Sequence, residues 1–498
     1  MNFPVLAPPV LGCSVNKPPQ TRRGSRNNNK PNKEMEMKTG KTRGVSGGAI
    51  LALCLSGLMA GGTLRAQNTA EEWWRGKYAT GNWFGARTSL EDKGIILGGS
   101  WKANYFGVVS GGLRQAGAFD EQILFSAKLD MEKMLGIPGL SLNGSAWWRD
   151  GRNVNTLVGA SPAFNPSALQ VGQGWRLLPV YVQWESRDLL PVKDMVTLVG
   201  GWTNPYYFFI QQPGSQLFVN NALFQTKGLV NSGIPWSGAN DTWGGHLKVK
   251  PTESTYAQAG LYMAIPGALD KNNHGLYFEG AYPQNKNGLY FVGETGFTPK
   301  IGPSKLPGKY AFGGIYYGVE NRSFNGQAYD GRYALYWQAD QMLFREPSPE
   351  AAPAGKGPGD GKSVASGKSF KEVAPAEKKP NEQGLYAFSF VSYAPKYNNA
   401  MPFYFHTGLL YKGLIPTRDQ DQLGLAFAYG NYSYYKALAD ERANRPVQSF
   451  EAVLELDYRV QLSKFSYVQP FLQYHIRPNG TGVVENATIL GCQMGVTF

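Results

Sequence analysis

The side chains of this sequence that could do chemistry are polar and aromatic groups that recur two residues apart. A period of two places side chains on one face of a β-strand, so each such set would point the same way. Cationic and amide groups donate hydrogen bonds, carboxylates accept them, and aromatic faces pack against C–H groups. These residues predict a surface for a solute with an apolar ring face and a rim of hydroxyls, formed by Lys102, Asn104, Trp147, Arg149, Tyr181, Gln183 and Glu185.

Arg152 adds a further cation just beyond this regular spacing, in the turn sequence Gly151-Arg152-Asn153. Its guanidinium carries five donors on a planar fork, which suits a pair of hydroxyls or a carboxylate. We expect Arg152 to bind sugar hydroxyls or to pair with a carboxylate such as Glu185, which it would keep oriented. Arg459, far along the chain, serves as a comparison residue outside the predicted site.

Catalytic and metal chemistry have weaker support. His246, His406 and His475 occur on separate segments, and no serine or carboxylate stands at a recognisable catalytic spacing from them. The two carboxylates of 419–421 fall far short of the six to eight oxygen ligands that calcium prefers. The sequence therefore predicts no catalytic set, no metal and no cofactor.

The elements that carry these residues are strands of alternating character. In the segment 452–462, apolar residues such as Leu454 and Leu456 alternate with charged residues such as Glu455, Asp457 and Arg459. We expect the charged face to be in contact with water and the apolar face to be in contact with lipid. Repeated segments of about ten such residues, separated by turns, are typical of a transmembrane β-barrel.

Sixteen such segments can be counted, and an even number is usual for bacterial barrels of this kind. The sequence thus predicts an all-β fold, a transmembrane antiparallel β-barrel of about 16 strands with an aqueous lumen. The connections 151–177, 205–241 and 266–286 are long and fall on one side of the membrane. The predicted strands lie near 95–106, 120–130, 140–150, 178–186, 195–204, 242–250, 255–265, 287–298, 308–320, 332–345, 384–394, 402–413, 421–432, 451–462, 467–477 and 490–498.

The composition excludes the main alternative classes. Glycine contributes 62 of 498 residues, charged residues are 17% and aromatic residues are 13%. A helical cytosolic enzyme carries about 25% charged residues, and a disordered chain carries few large rings. No stretch beyond the N-terminal region has about 18 consecutive apolar residues, which argues against transmembrane helices.

Residues 1–66 are predicted to be an N-terminal extension and a cleaved signal peptide. A basic run from Lys38 is followed by an apolar core and then by Leu64-Arg65-Ala66. Met37 and Met1 are alternative starts. The formal charge of +13 falls to +5 without residues 1–66, which hold 10 of the 49 basic and 2 of the 36 acidic residues. The remaining excess is small and scattered, so nucleic-acid binding is not predicted.

Two further segments stand apart from the barrel, which is predicted to span 95–498. Residues 67–94 should form a short N-terminal periplasmic or plug segment, with a helix at Thr88–Lys93 that Gly94 ends. Residues 346–383 are rich in Pro, Gly, Ala, Ser and Lys and predict a disordered insertion on the periplasmic side. Contact of this insertion with the cell-wall polymer is the functional alternative to a tolerated insertion.

Several motifs resemble the carbohydrate-selective porins of Gram-negative bacteria, the OprB family. The most specific is Gln338-Ala-Asp-Gln-Met-Leu-Phe-Arg-Glu346, and others are Gly81-Asn-Trp-Phe-Gly-Ala-Arg87 and Gly413-Leu-Ile-Pro416 with Arg418. The resemblance covers roughly residues 75–498. It implies a sixteen-stranded outer-membrane barrel through which mono- and oligosaccharides diffuse, and it places Arg152 in a lumen-facing Gly-Arg motif of the family.

These observations together predict a passive, carbohydrate-preferring porin of a Gram-negative outer membrane. Its channel constriction should lie on the first, third and fourth strands, narrowed by loops 151–177 and 205–241. A pore selective for anions or other small solutes, or an outer-membrane barrel hydrolase, remains an alternative. The expected partners are a carbohydrate substrate, outer-membrane lipid and lipopolysaccharide, and the barrel-assembly machinery acting through Phe498. Monomeric and trimeric assembly both stay open.

Overall fold

The computed structural model describes residues 72–169, 174–224, 228–277, 288–347 and 381–498. The predicted signal peptide and most of the predicted insertion lie outside these residues. No helix within the described ranges is long and apolar enough to cross a membrane.

The chain folds into sixteen long antiparallel strands that close into a barrel, which confirms the predicted fold. β1 pairs with β2 on one side and with β16 on the other, where Ser100 lies opposite Thr497. The strands are β1 Ile95–Ser110, β2 Gly117–Asp130, β3 Leu140–Gly151, β4 Gly174–Glu185, β5 Val196–Thr203, β6 Thr242–Thr252, β7 Thr255–Ala264, β8 Gly288–Phe297, β9 Leu306–Tyr317, β10 Arg332–Arg345, β11 Gly384–Tyr393, β12 Phe403–Lys412, β13 Gln422–Asn431, β14 Phe450–Gln461, β15 Ser466–Ile476 and β16 Ala487–Thr497.

Period-two alternation decides which side of the wall each side chain faces. On β14, the apolar residues Leu454 and Leu456 are exposed on the outer surface, whereas Glu455 and Asp457 point inward. The same alternation places Lys102 and Asn104 inside on β1, and Leu97 and Tyr105 outside.

The two ends of the barrel differ in the length of their connections. At one end, the turn end, β6 and β7 are joined by residues 253–254, and β14 and β15 by residues 462–465. At the other end, the loop end, the connections include 152–173 and 204–241. This asymmetry is typical of outer-membrane barrels, in which the short turns are periplasmic.

Short helices lie in the connections and before β1. They are α1 Ala86–Asp92, α2 Met131–Leu135, α3 Asn155–Val158, α4 Gly228–Asn231 and α5 Tyr434–Arg442. The side chain of Asp130 caps α2 by accepting hydrogen bonds from the N–H groups of Glu132 and Lys133. α1 ends shortly before Gly94, which is buried and has a φ of 89° that only glycine adopts easily.

The wall between β4 and β6 is completed by a loop, because β5 has only eight residues. The N–H of Leu177 on β4 donates to the carbonyl of His274 at 2.8 Å. The connection that follows β7 therefore lies along the part of β4 nearer the loop end. Within β4, the pairing with β3 shifts between Leu177 and Val180, which marks a β-bulge.

Candidate functional site in the barrel lumen

The connection between β5 and β6 folds into the barrel. Its described residues are 204–224 and 228–241, here called the infolded loop. The N–H of Val219 donates to Glu455 Oε1 at 2.8 Å, and the N–H of Asn220 donates to Glu455 Oε2 at 3.0 Å. Because Glu455 lies on β14, the loop reaches across the lumen to a strand more than 200 residues later in the chain.

Further contacts anchor the infolded loop along several strands. The N–H of Ile210 donates to Glu294 Oε2 on β8 at 3.1 Å, and that of Gly214 donates to Asp340 Oδ1 on β10 at 3.3 Å. The Gln212 amide donates to the carbonyl of Ser389 on β11 at 2.8 Å. The loop is therefore fastened to the wall from β8 to β15 by its own main chain and by side-chain amides.

The connection between β3 and β4 also folds inward. The N–H of Ser161 donates to Glu451 Oε1 on β14 at 3.0 Å, and the Gln473 amide on β15 donates to the carbonyl of Pro166 at 3.0 Å. The N–H of Asn221 in the infolded loop donates to the carbonyl of Asn165 at 2.9 Å, so the two loops support each other. Both loops that the sequence predicts to narrow the lumen do enter it.

The prediction that water solvates the charged face of segment 452–462 is wrong for Glu455 and Asp457. Glu455 and Asp457 are both 0% exposed, because the infolded loop covers them. The Asp457 carboxylate accepts a hydrogen bond from the Gln469 amide at 2.6 Å. Alternation correctly placed these groups in the lumen, but main-chain N–H groups and amides have replaced water as their hydrogen-bonding partners.

The three histidines on the inner face serve to hold the infolded loop. His406 Nε2 lies 2.6 Å from the Gln212 amide oxygen, and His475 Nε2 lies 3.3 Å from Asn220 Nδ2. The ring of His246 packs against Phe208 with centroids 4.3 Å apart. Each histidine therefore contacts a different part of the same loop.

Trp147 and Arg149 form a cation–aromatic stack on the inner face of β3. The Arg149 guanidinium lies 3.4 Å from the centre of the Trp147 ring, and its Nε donates to the Gln122 amide oxygen on β2 at 2.7 Å. Trp147 packs with Leu178 on β4 and with Ala239 of the infolded loop. The stack thus stands where the loop meets the wall.

Lys102 and Asn104 face the lumen on β1, but their surroundings differ. The half-buried Lys102 ammonium lies 5.5 Å from the ring of Phe224 in the infolded loop. Asn104 is buried, donates to Asp120 Oδ1 at 2.8 Å and accepts from the Gln493 amide at 2.7 Å. Asn104 thereby connects β1 to both of its neighbouring strands, and Lys102 faces the loop.

Tyr181, Gln183 and Glu185 follow one another down the inner face of β4. Tyr181 packs edge-on against Phe208 of the infolded loop, with centroids 5.4 Å apart. The Gln183 amide donates to Glu185 Oε1 at 2.9 Å, and Glu185 Oε2 lies 4.0 Å from Arg187 Nε. Only Tyr181 of these three contacts the loop in the described structure.

The expected pairing of Arg152 with Glu185 is wrong. Arg152 follows the last residue of β3 at the loop end and is exposed, whereas Glu185 is the last residue of β4 at the turn end. Strands of this length separate their two ends by roughly 35 Å at 3.4 Å per residue. Antiparallel pairing places the two residues at opposite ends of one hairpin, so Glu185 contacts Arg187 instead.

Arg459, which the sequence places outside the predicted site, lies close to it. Closure of the barrel through β16 leaves only β15 and β16 between β14 and β1. Arg459 donates to the Gln469 amide oxygen at 2.7 Å and to the carbonyl of Leu217 in the infolded loop at 3.4 Å. The positive charges of Arg459 and Arg149 both repel the Lys102 ammonium.

Arg176 and Phe224 are site residues that the sequence pattern did not indicate. Arg176 is 3% exposed and donates to the carbonyl of Ala239 at 2.6 Å. It precedes the bulge in β4, so its segment was not included in the predicted strand. Phe224 stands in a loop, where no periodicity shows which side chain points toward the wall.

The base of the infolded loop contains a buried acidic residue. Burial raises the pKa of Asp241 well above its usual range, although the hydrogen bond from Asn204 and the charge of Arg176 act in the opposite direction. The Asn204 amide donates to Asp241 Oδ1 at 2.8 Å and thus links the first and last residues of the loop. The Tyr207 hydroxyl donates to the carbonyl of Gly238 and closes the same base.

Comparisons with known proteins agree with this architecture. Residues 114–498 match the profile of the carbohydrate-selective porin, OprB family. Porin B of Pseudomonas aeruginosa is 26% identical over 475 residues, which cover 89% of this chain and 97% of that protein.

Two solved structures share the fold. The high-pH structure of Pseudomonas putida OprB has a TM-score of 0.71 at 22% identity, and the low-pH structure of the same protein has a TM-score of 0.51 at 19% identity. Each comparison covers 85% of this chain and 99% of the solved chain. The profile match spans most of the chain, which confirms the resemblance seen in the sequence. The chain therefore belongs to the OprB family of carbohydrate-selective porins and is a channel of the Gram-negative outer membrane.

Proposed function

We propose that mono- and oligosaccharides diffuse passively between the infolded loop and the inner face of β1–β4. The support is the distribution of the loop anchors, whose main-chain hydrogen bonds to wall carboxylates fall on β8, β10 and β14. On the opposite wall, the inward-facing Ser126 of β2 is exposed and Lys128 is half-exposed. A solute would thus meet water-accessible side chains on this side of the loop.

The stack of Arg149 on Trp147 carries this proposal. An aromatic face and a planar set of donors side by side match the C–H face and the hydroxyl rim of a sugar. Two neighbouring donors, Trp147 Nε1 and Arg176 Nε, have no hydrogen-bond partner in the described structure. Buried donors without an acceptor are costly, and hydroxyl oxygens of a passing sugar would satisfy them.

The remaining predicted residues would act at different depths. Arg152 would meet the sugar first at the loop end, and Lys102 and Asn104 would follow beside Phe224. Tyr181, Gln183 and Glu185 would line the exit toward the turn end. In this arrangement the constriction lies at Arg149, Trp147 and Lys102.

Arg149→Gln tests this proposal. We expect the variant to form a heat-stable barrel and to lose about tenfold in affinity for sugar, as measured by the block of single-channel current. Arg114→Gln is the matched control, because Arg114 is an exposed arginine in the loop between β1 and β2. Equal block in wild type and in Arg149→Gln would remove Arg149 from the constriction. Liposome swelling with sugars, amino acids and salts would test sugar preference itself.

A second candidate function is passage of anionic solutes, which one asymmetry of the lumen favours. The wall carboxylates Glu294, Glu451 and Glu455 are at most 5% exposed, because the loops or neighbouring side chains cover them. The inward-facing cations Lys102, Lys248 and Arg459 remain half-buried. Chloride preference in planar bilayers, with little swelling of liposomes in neutral sugars, would favour this function over sugar diffusion.

The processing and assembly of the chain are also proposals. Cleavage after Ala66 would leave a mature chain that starts near Gln67, and N-terminal sequencing of the membrane-inserted protein tests this. Phe498 would engage the barrel-assembly machinery, so Phe498→Ala should slow insertion into the outer membrane. Chemical crosslinking in native membranes would distinguish a monomer from a trimer and would show contacts with lipopolysaccharide.

A further inference from the structure

Arg87 is a buried cation on the N-terminal segment, and part of its guanidinium has no hydrogen-bond partner among the residues that the structure describes. It is 4% exposed, and its Nε and Nη1 have no acceptor in the described residues. Its Nη2 donates to the Thr80 hydroxyl at 3.4 Å. The guanidinium lies 3.8 Å from the ring centre of Tyr78 and 4.2 Å from that of Trp83. Buried charges usually have a counter-ion, so this arrangement calls for an anion.

Arg87 lines one end of an apolar groove, which has a volume of about 550 Å³. Leu97, Phe125 and Val180 point outward on β1, β2 and β4, so the groove lies on the surface that faces the bilayer. Arg87 is the charged group among the residues that line the groove. Its lining also includes Trp83, Gly99, Ala127, Gly144, Ala146 and Phe498.

The groove exists because small residues stand side by side on neighbouring strands. The outer surface is recessed there, because the residues have small side chains or none, and larger side chains surround the recess. These small residues are Gly99, Ala127, Gly144 and Ala146. A Cβ atom on Gly99 would come within 2.3 Å of the Phe498 ring, so this ring lies directly over Gly99 and forms one side of the groove. The result is an open groove on the outer wall of the described barrel.

The position of Arg87 corresponds to the membrane boundary. Its segment runs along the turn end, where the N–H of Ala79 donates to the carbonyl of Thr497 at 2.8 Å. The adjacent Phe84 is fully exposed, and Trp73 and Trp74 are 40% and 44% exposed. Exposed aromatic side chains are enriched at the headgroup level of a bilayer. The turn end of an outer-membrane barrel faces the periplasmic leaflet, which places Arg87 at the headgroups of that leaflet.

We propose that this groove binds one glycerophospholipid of the periplasmic leaflet, with its phosphate at Arg87 and an acyl chain along the small residues. Charge complementarity favours this occupant, because the groove joins an apolar surface on the lipid side to a cation that forms no ion pair with any described residue. Glu72 and Glu91 line a polar cavity on the other side of Arg87, but neither forms an ion pair with it in the described chain. The inference is independent of what passes through the lumen.

Native mass spectrometry of the detergent-solubilised protein, titrated with phosphatidylglycerol, tests this inference. We expect wild type to retain a single phosphatidylglycerol molecule more tightly than further copies. Arg87→Gln should weaken this retention by about tenfold, because a charged hydrogen-bonding group is lost. Ala127→Phe should also weaken it, since the exposed Ala127 faces the groove and a ring there would fill it. Arg114→Gln, at the opposite end of the barrel, should bind as wild type does.

Heat-modifiable migration on gels shows whether each variant has folded, and Ala127→Phe leaves Arg87 intact if Arg87→Gln does not fold. Diacylglycerol with the same chains is the matched probe without a phosphate and should bind at least tenfold more weakly. Unchanged retention in folded Ala127→Phe, or in folded Arg87→Gln, would overturn the proposal. Equal retention of diacylglycerol, or a dimer mass with no bound lipid, would also overturn it.

Discussion

The main-chain N–H of Val219 and the carboxylate of Glu455 join the infolded loop to the far wall of the barrel, 2.8 Å apart and 236 positions apart in the chain. Glu455 is fully buried and also accepts from the N–H of Asn220. A buried carboxylate that accepts from two N–H groups fixes the position of the loop. If the carboxylate or the loop is displaced, buried polar groups lose their hydrogen-bond partners. The position of the infolded loop therefore depends on a wall residue that the loop itself covers.

Glu455→Ala should loosen the infolded loop and leave the barrel closed. Each charged hydrogen bond contributes about 1.5–3 kcal/mol, so displaced loop positions should become at least about tenfold more populated. We expect larger and noisier single-channel conductance in planar bilayers. Glu253→Ala, in the exposed turn between β6 and β7, is the control and should conduct as wild type does. Identical conductance of Glu455→Ala and wild type would show that other anchors suffice.

Arg152→Ala should weaken the block of current by sugar less than Arg149→Gln does. Arg152 is exposed at the loop end, where water competes for its donors, whereas Arg149 is 8% exposed and stacked on Trp147. Both variants should keep heat-stable barrels, since substitutions in the lumen tune selectivity rather than hold the strands together. A larger loss of block in Arg152→Ala would move the constriction to the loop end.

Asp421 should make the turn between β12 and β13 sensitive to acid. Its carboxylate accepts from the Arg418 guanidinium at 2.8 and 2.9 Å, the Tyr458 hydroxyl at 2.8 Å and the Gln461 N–H at 2.9 Å. Burial alone would raise the pKa of Asp421, but these hydrogen bonds outweigh it and hold the pKa below its usual range.

A depressed pKa means that the stabilisation is present above the unfolded value of about 3.9 and is lost as the pH falls through the folded value. At pH 7, Asp421→Asn should therefore lower the temperature of the heat-dependent mobility shift by a few degrees. The difference between the variant and wild type should begin to shrink below about pH 4 and should vanish once the pH is below the folded pKa of Asp421. Asp419→Asn, in the same turn, is the control. A difference that persists in acid would contradict the assignment.

Deletion of residues 348–379 should leave folding and transport nearly unchanged. The described residues on either side already meet, because the N–H of Glu346 donates to the carbonyl of Gln383 at 3.0 Å and the Asn381 amide donates to the carbonyl of Glu346 at 3.2 Å. The entropy of loop closure changes by only about 0.6 kcal/mol for each doubling of loop length. Liposome swelling and heat-modifiable migration measure the two properties. Failure of the shortened chain to assemble would show that the segment is structural.

The local sequence determined the strands and the direction of their side chains. Alternation with a period of two is a property of neighbouring residues, so it predicted all sixteen strands and placed Lys102, Trp147 and Arg149 inside the lumen. It also predicted the two loops that enter the lumen, from their length and their position beside those strands. The strand ends shifted by a few residues, as at β1 and β4, where hairpin pairing extends beyond the alternating segment.

Contacts between distant segments were decided by the tertiary structure. Closure of β1 on β16 brought Arg459 toward Lys102, and antiparallel pairing separated Arg152 from Glu185. The infolded loop covered Glu455, which alternation alone would leave in water. The groove beside Arg87 likewise depends on small residues of three strands that meet only in the folded wall. Periodicity shows which side of the wall a residue faces, whereas its partners depend on strand register and loop path, which no local pattern contains.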